Sequence, residues 1–417
     1  MKRIIAVILL FTWSALACAD DWPAWRGPTG QGYCFEKDLP TNWSAKQNIK
    51  WKIPLAHGGN STPIVWKDRI FLTMANKEGT VRSALCFDRA DGKQLWKKDV
   101  EYAQKERNWP GITYVNASAV TDGQRVIVSL ASAGLFCYDL DGKELWKRTD
   151  LGNWQHDFGT GSSAILYGEL CILYLGPDQE NGANGLLAVN KKTGATVWQK
   201  DQKALWKMDP KAGSWGTPVV VQIDGNDQLL YCPGYKLESV DPKTGQDLWH
   251  CDGLMEFVYT SPLYSPKHKI AVAMSGFNKS ALAVKVGGAG DITKDRLWHH
   301  PKNIQRVGSG IIVGDHVYIL EENGTPHCYE LATGKQVWQA DSRPAEKNWG
   351  SMVHADGKLY VLTRDASTLV FNASPKYELL ATNRLEASES TNASPAISNG
   401  EIFLRTNQHL WCISEKK

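Results

Sequence analysis

The chain has 417 residues, with 47 Lys and Arg against 44 Asp and Glu, a formal charge of +3, and no basic block or tail. That balance excludes the charged footprint of a nucleic-acid-binding protein. The length exceeds that of an ordinary single domain, a difficulty that a repeat architecture removes because each unit buries its faces against its neighbours.

The chain begins Met1-Lys2-Arg3, followed by the apolar run from Ile4 to Leu16 and then small residues, the pattern of a secretory signal. Ala17-Cys18-Ala19 fits an A-x-A cleavage site, which sets the signal at residues 1–19 and the mature start at Asp20. Ala15-Leu16-Ala17-Cys18 also admits acylation of Cys18. A lipobox wants an aliphatic residue where Ala15 stands and a small one where Leu16 stands, so ordinary export is the reading adopted. No later segment is apolar for long enough to span a membrane. Residues 20–47 are expected to pack as an extension on the domain formed by residues 48–417.

A lone strand, Asn48-Ile49-Lys50-Trp51-Lys52-Ile53, has nothing strand-like before it. One phrase then recurs: Asp88-Arg89-Ala90-Asp91-Gly92-Lys93-Gln94-Leu95-Trp96, Asp139 to Trp146, Asn190 to Trp198, Asp241 to Trp249 and Glu330 to Trp338. Asp295-Arg296-Leu297-Trp298 is a degenerate copy behind the insertion Gly287-Gly288-Ala289-Gly290. Lys376 to Leu380 is another, with leucine where tryptophan is expected. A period of roughly 40–50 residues means stacked supersecondary units. Within each phrase an acidic or amide side chain bonds turn amides, and glycine supplies the positive φ that closes a tight turn. The tryptophan opens the next strand with an apolar face and an N–H seeking a carbonyl. Trp51, Trp96, Trp146, Trp198, Trp249, Trp298 and Trp338 are therefore expected to be structural clamps between units.

A second series runs out of phase: Ser61-Thr62-Pro63, Ala117-Ser118-Ala119, Ser162-Ser163-Ala164, Thr217-Pro218, Ser261-Pro262, Ser309-Gly310, Ser351-Met352 and Ser394-Pro395. Each small or hydroxyl residue precedes a turn and an alternating strand, such as Gly357-Lys358-Leu359-Tyr360-Val361-Leu362. Eight units of four strands follow, except that the last, from Asn392 to Ser414, has three. The strand around Trp51 supplies the fourth and removes both free edges. The predicted fold is all-β: an eight-bladed β-propeller of four-stranded antiparallel blades, closed by its N-terminal strand.

The Asp-x-x-Thr-Gly-Lys-x-x-Trp phrase resembles the repeat of the PQQ-like β-propellers, a superfamily that includes quinoprotein alcohol dehydrogenases and the non-enzymatic BamB lipoproteins of outer-membrane assembly. The segment Asp21-Trp22-Pro23-Ala24-Trp25-Arg26-Gly27-Pro28 resembles the start of exported planctomycete-type members with PQQ-binding-like repeats. The likeness runs from about Trp22 to the C-terminus and speaks to fold more than to function.

Cys86, Cys137, Cys328 and Cys412 fall at one repeat-equivalent site, filled elsewhere by Ala188, Ser239 and Ala283. Such a site is small and tightly packed, so these four are expected to be buried thiols in different blades. An exported protein permits disulfides, which leaves Cys34, Cys171, Cys232 and Cys251 open.

No catalytic or metal-ligating motif stands out. The adjacent cysteine pair that the resemblance would place over a quinone is absent, as are Cys-x-x-Cys-His, His-Glu-x-x-His and Gly-x-Ser-x-Gly. PQQ with Ca²⁺ is accordingly not expected, and no cofactor is assigned. His299 and His300 are neighbours on a strand and point to opposite faces.

What remains is a surface. Loops into the innermost strands carry Asn60, Asn116, His156, Asp157, Trp215, Tyr259, Arg306, Trp349 and Asn392. Loops between second and third strands carry Glu78, Arg82, Asp178, Glu180, Asn181, Asn184, Glu322, Asn323, Arg364 and Asp365. In a four-stranded blade both sets share one face, and convergent polar and aromatic groups suit a ligand or partner, although Trp215 and Trp349 could simply plug the channel. Trp109 and Trp154 could stack on a sugar or cap the blade edges. The leading expectation is an exported, non-catalytic, monomeric scaffold that binds a protein partner in the periplasm or outer envelope. A quinoprotein dehydrogenase with an altered site and a carbohydrate-binding propeller are the alternatives.

Overall fold

The computed structural model describes residues 21–104, 106, 107, 113–154, 156–176, 185–277, 280–302 and 307–415. The signal sequence lies outside the described residues. Eight four-stranded units run in order, blade 1 over residues 64–101 and blades 2 to 7 over 120–148, 165–200, 219–252, 263–300, 311–339 and 353–384. Within each, consecutive strands pair antiparallel as a meander. Blade 8 takes three strands from residues 396–413 and its fourth from Ile49–Pro54, with Lys52 opposite Trp411 and Ile53 opposite Leu410. The ring closes as the alternation and strand count predict.

The clamp tryptophans act between blades. The indole N–H of Trp51 donates to the Arg89 carbonyl of blade 1 at 2.9 Å, Trp96 to Leu140 of blade 2 at 2.9 Å, and Trp146 to Lys191 of blade 3 at 3.0 Å. Trp198, Trp298 and Trp338 repeat the pattern onto Pro242, Leu331 and Ser374. The receiving turn needs glycine twice over. Gly194 has φ +73°, and a Cβ there would meet the Trp146 ring at 2.6 Å.

Two clamps depart from the pattern, each for a local reason. Trp249 points toward blade 5, whose usual turn is replaced by the glycine-rich insertion, and its N–H donates instead to Gln228 of its own blade at 2.8 Å. The insertion compensates by adding Gly290–Asp291 as a parallel fifth strand against Trp249 and His250. In blade 7 the register corrects the sequence alignment: Ala381, opposite Val370, holds the tryptophan position, while Leu380 is the bulged residue beside it. A blade 7 clamp would meet a place where no turn joins the third and fourth strands of blade 8, which come from opposite ends of the chain, with the Ser414 N–H bonded to the Asn48 carbonyl at 2.9 Å.

Cross-strand register explains the small repeat site. Cys86, Cys137, Cys328 and Cys412 lie opposite Trp96, Trp146, Trp338 and Trp51. Ala188, Ser239 and Ala283 lie opposite the other tryptophans. Only in blade 7, where alanine replaces tryptophan, is the partner enlarged to valine. Bulk is exchanged across the strand pair to keep the interior filled. All eight described cysteines are buried and free, including the four left open, and burial pushes the Cys137 and Cys328 thiols up to about 12.

The hydroxyl series joins the innermost strands. Backbone N–H groups of Thr62, Ser118 and Ser163 donate to the hydroxyls of Ser118, Ser163 and Thr217 at 2.9–3.0 Å. Those of Ser261, Ser309, Ser351 and Ser394 donate to Ser309, Ser351, Ser394 and Thr62 at 2.9–3.1 Å. The chain of bonds circles the axis with one gap, between Thr217 of blade 4 and Ser261 of blade 5, where the Ser261 hydroxyl is buried without a partner. That junction is held by parallel pairing of Gly213–Ser214 with Phe257–Val258.

Residues 21–47 run across the face that carries the first-to-second-strand turns. Trp22 exchanges backbone bonds with Val65 of blade 1, Pro23 accepts from Thr121 of blade 2, and Cys34 N–H donates to His354 of blade 7. The buried Arg26 donates to the Gly310 carbonyl of blade 6 at 2.7 Å. The segment thus spans the axis and ties distant blades together.

Candidate functional site

The opposite face opens into a cavity of about 680 Å³ on the propeller axis. Its wall contains Asn60, Asn116, Trp215, Tyr259, Trp349 and Asn392 from the loops into innermost strands, and Glu322 and Arg364 from loops between second and third strands. The structure therefore brings the two loop sets together, as blade geometry requires. Trp25, from the segment crossing the other face, also lines the cavity, so the channel is a cup with a floor rather than a through-pore.

One side of the cup is aromatic. Trp215 and Tyr259 have ring centroids 4.8 Å apart, and the edge of His156 meets Trp215 at 4.8 Å. Phe158, Phe257 and Phe277 complete the group. Trp215 is 9% exposed, and its N–H donates to the Gly159 carbonyl at 2.8 Å, so it is a fixed wall rather than a mobile plug. Burial favours the neutral imidazole and lowers the pKa of His156, an effect only partly offset by the Lys211 carbonyl, which favours the protonated ring.

The other side is an arc of amides. Asn392 donates to Asn60 at 3.3 Å, Asn60 to Asn116 at 2.7 Å, and Asn116 to the Thr160 carbonyl at 2.8 Å. The Asn392 carbonyl oxygen is buried with no partner. Beyond the arc, Trp349 donates to Glu322 at 3.1 Å, and the Arg364 guanidinium lies 4.1 Å over its ring. A cation on an aromatic face rigidifies both groups.

Not every expected residue converges. Asp157 is ion-paired with Arg107 near the rim and does not line the cup. Arg82 and Glu106 form a buried 2.5 Å salt bridge, with Arg82 also stacked on Tyr102, so Arg82 is structural. Asp178, Glu180, Asn181, Asn184, Arg306 and Trp109 lie outside the described residues. Trp154 is 2% exposed within a hydrophobic cluster and is an edge cap, not a sugar platform. His299 turns to the Gly253 carbonyl while His300 packs on Trp298, so they share no metal.

Sequence reasoning missed Trp25, Phe158, Phe277 and Lys347 in the wall. Phe158 sits beside His156 in a loop already singled out. Phe277 holds φ +54°, a conformation that costs a bulky residue about 1–3 kcal/mol and directs its ring into the cluster. No sequence pattern signals that.

Among the described residues, the wall of the cup offers few ligands for a quinone's calcium ion. Calcium needs several oxygen ligands, usually including carboxylates, and Glu322 is the only carboxylate among the described lining residues. It is already the acceptor for Trp349, and the Asn116 oxygen accepts from both Asn60 and Thr113.

The family model described as outer membrane protein assembly factor BamB matches residues 41–149, 77–340 and 331–417, nearly the whole described chain. The chain belongs to this family. No curated protein matches its sequence. The crystal structure of BamB from Moraxella catarrhalis is similar with TM-score 0.59 at 12% identity, covering 88% of this chain and 96% of that one. A computationally designed protein, Ika8, gives TM-score 0.61 at 12% identity over 88% and 99%. A europium-containing methanol dehydrogenase gives 0.56 at 11% identity over 95% and 98%. At such identities these likenesses show the fold alone, shared by BamB, a designed protein and a dehydrogenase.

Proposed function

We propose that this BamB-family propeller is an exported, non-catalytic scaffold that holds a segment of a protein partner in its axial cup, in the periplasm or outer envelope. One observation carries the reading: an aromatic wall and an arc of asparagines face each other across a blind cavity. The unpartnered side-chain oxygen of Asn392 can accept a backbone N–H in the geometry of a peptide group, so the arc suits an extended backbone. The aromatic wall suits an apolar side chain, and rigid aromatic anchors dominate binding energy at interfaces. Glu322, the one carboxylate among the described lining residues, already accepts from Trp349. No helix among the described residues is long and apolar enough to cross a membrane. Export rests on the N-terminal signal pattern.

The test is capture from an envelope extract by the wild type and by a Tyr259→Ala, Trp349→Ala double variant. The expected result is a specific partner recovered with the wild type and lost with the variant, at an unchanged melting temperature. Equal recovery, or dye-linked alcohol oxidation on addition of PQQ and Ca²⁺ to the wild type, overturns the proposal.

A further inference from the structure

Glu386, Glu389 and His409 stand apart from the cup, where the ring closes. Glu386 and Glu389 lie in the connection from blade 7 to blade 8, joined by a turn in which Glu389 N–H donates to the Glu386 carbonyl at 3.0 Å. His409 begins the third strand of blade 8, opposite Pro54 of the closing strand. Gln408 donates to the Ser388 carbonyl at 2.9 Å, and the Asn407 N–H to the Ser390 carbonyl at 2.8 Å, so both segments are held in register.

The ligand atoms of the three side chains lie within 4.8 Å of one another. The Glu389 side chain is fully buried beside His409, and its Oε2 has no hydrogen-bond partner. A buried carboxylate with an unused oxygen is costly unless a cation or donor completes it. The Lys52 ammonium is 2.5 Å from Glu386 and 4.8 Å from the Trp411 ring centroid.

We propose that Glu386, Glu389 and His409 form a divalent-cation site that fastens the closing blade. One imidazole and two carboxylates make a mixed nitrogen–oxygen donor set, which suits zinc better than calcium or magnesium. Ligands about 2.0–2.2 Å from such an ion need only small side-chain rotations from the positions found here. The charges balance: two carboxylates neutralise the dication, and Lys52 turns from Glu386 to rest over Trp411. The fourth position faces outward beside the half-exposed Glu386 and takes water. The ion would bridge the blade 7 connection to the strand paired with the N-terminus.

The test uses full-length mature protein stripped with EDTA and titrated with Zn²⁺, with Co²⁺ as a spectroscopic probe. The expected result is one zinc bound per chain, a melting temperature that rises with zinc concentration, and visible d–d absorption with Co²⁺. Glu386→Gln removes a ligand at the exposed end of the trio and leaves the buried pair, so it should melt like the stripped wild type yet bind zinc weakly. Glu389→Gln should abolish the Co²⁺ spectrum. Absence of stoichiometric zinc in the wild type, or a zinc-dependent shift in both variants as large as that of the wild type, overturns the site and leaves an ordinary His–Glu pair.

Discussion

Trp146 fills the space over Gly194 and donates to Lys191 of the next blade, while Cys137 faces it across the sheet. Trp146→Leu removes ring contacts and that bond, so a loss of about 2–4 kcal/mol is expected in denaturant melts, with partner capture retained. Cys137→Val overfills the same space and should cost about 1–3 kcal/mol. Three histidines set a pH dependence. Burial lowers the pKa of His156, His327 and His354 in the fold. Unfolded chains therefore bind more protons as pH falls below the ordinary histidine value of about 6.5, and stability falls with it. Melting temperature should be level above neutrality and decline toward pH 5, and His354→Gln should flatten that decline.

Among elements, the innermost strands give a paired prediction. Ser351→Ala strips the acceptor from the Ser309 N–H, leaving a buried donor unsatisfied, and should cost about 1–3 kcal/mol. Ser261→Ala removes a hydroxyl that accepts nothing and should be close to neutral. Comparable losses in both would mean that the hydroxyls act only through packing. The closing strand is the larger element-scale test. Removal of residues through Ile53 leaves blade 8 with three strands and an unpaired edge, so aggregation or a much lower melting temperature is expected by light scattering and calorimetry.

For the whole molecule, periodic features were legible and aperiodic ones were not. The phrase ending in tryptophan and the hydroxyl series recur in every unit or nearly so, and their phase yields blade number, strand count and closure. The purpose of the hydroxyls was hidden, because each bond joins residues more than forty positions apart. Ala381 was misaligned by one because the turn from Asn372 to Glu378 is one residue longer than its counterparts, such as Asp88 to Lys93, while the bulge beside the tryptophan position recurs in the other blades. Eight cup residues could be named from loop position alone, whereas Phe277 and Trp25 reach the cup through an unusual backbone angle and a segment folded across the axis. The sequence reading of the 176–185 segment as part of the binding face gives a further test: alanines at Asp178, Glu180, Asn181 and Asn184 should spare the melting temperature and weaken partner capture.

Closure by Ile49–Pro54 against residues 409–413 also dictates an order of assembly. A chain threaded through a membrane from its N-terminus delivers this strand early and its partner last. Blades 1 to 7 can form in sequence from local hairpins, but the ring stays open until the final residues arrive. The entropic charge for joining such distant segments grows only logarithmically with separation, so the wait is a matter of timing more than of equilibrium. During that interval two strand edges stand unpaired, and a chaperone that shields edges would matter then and not afterwards.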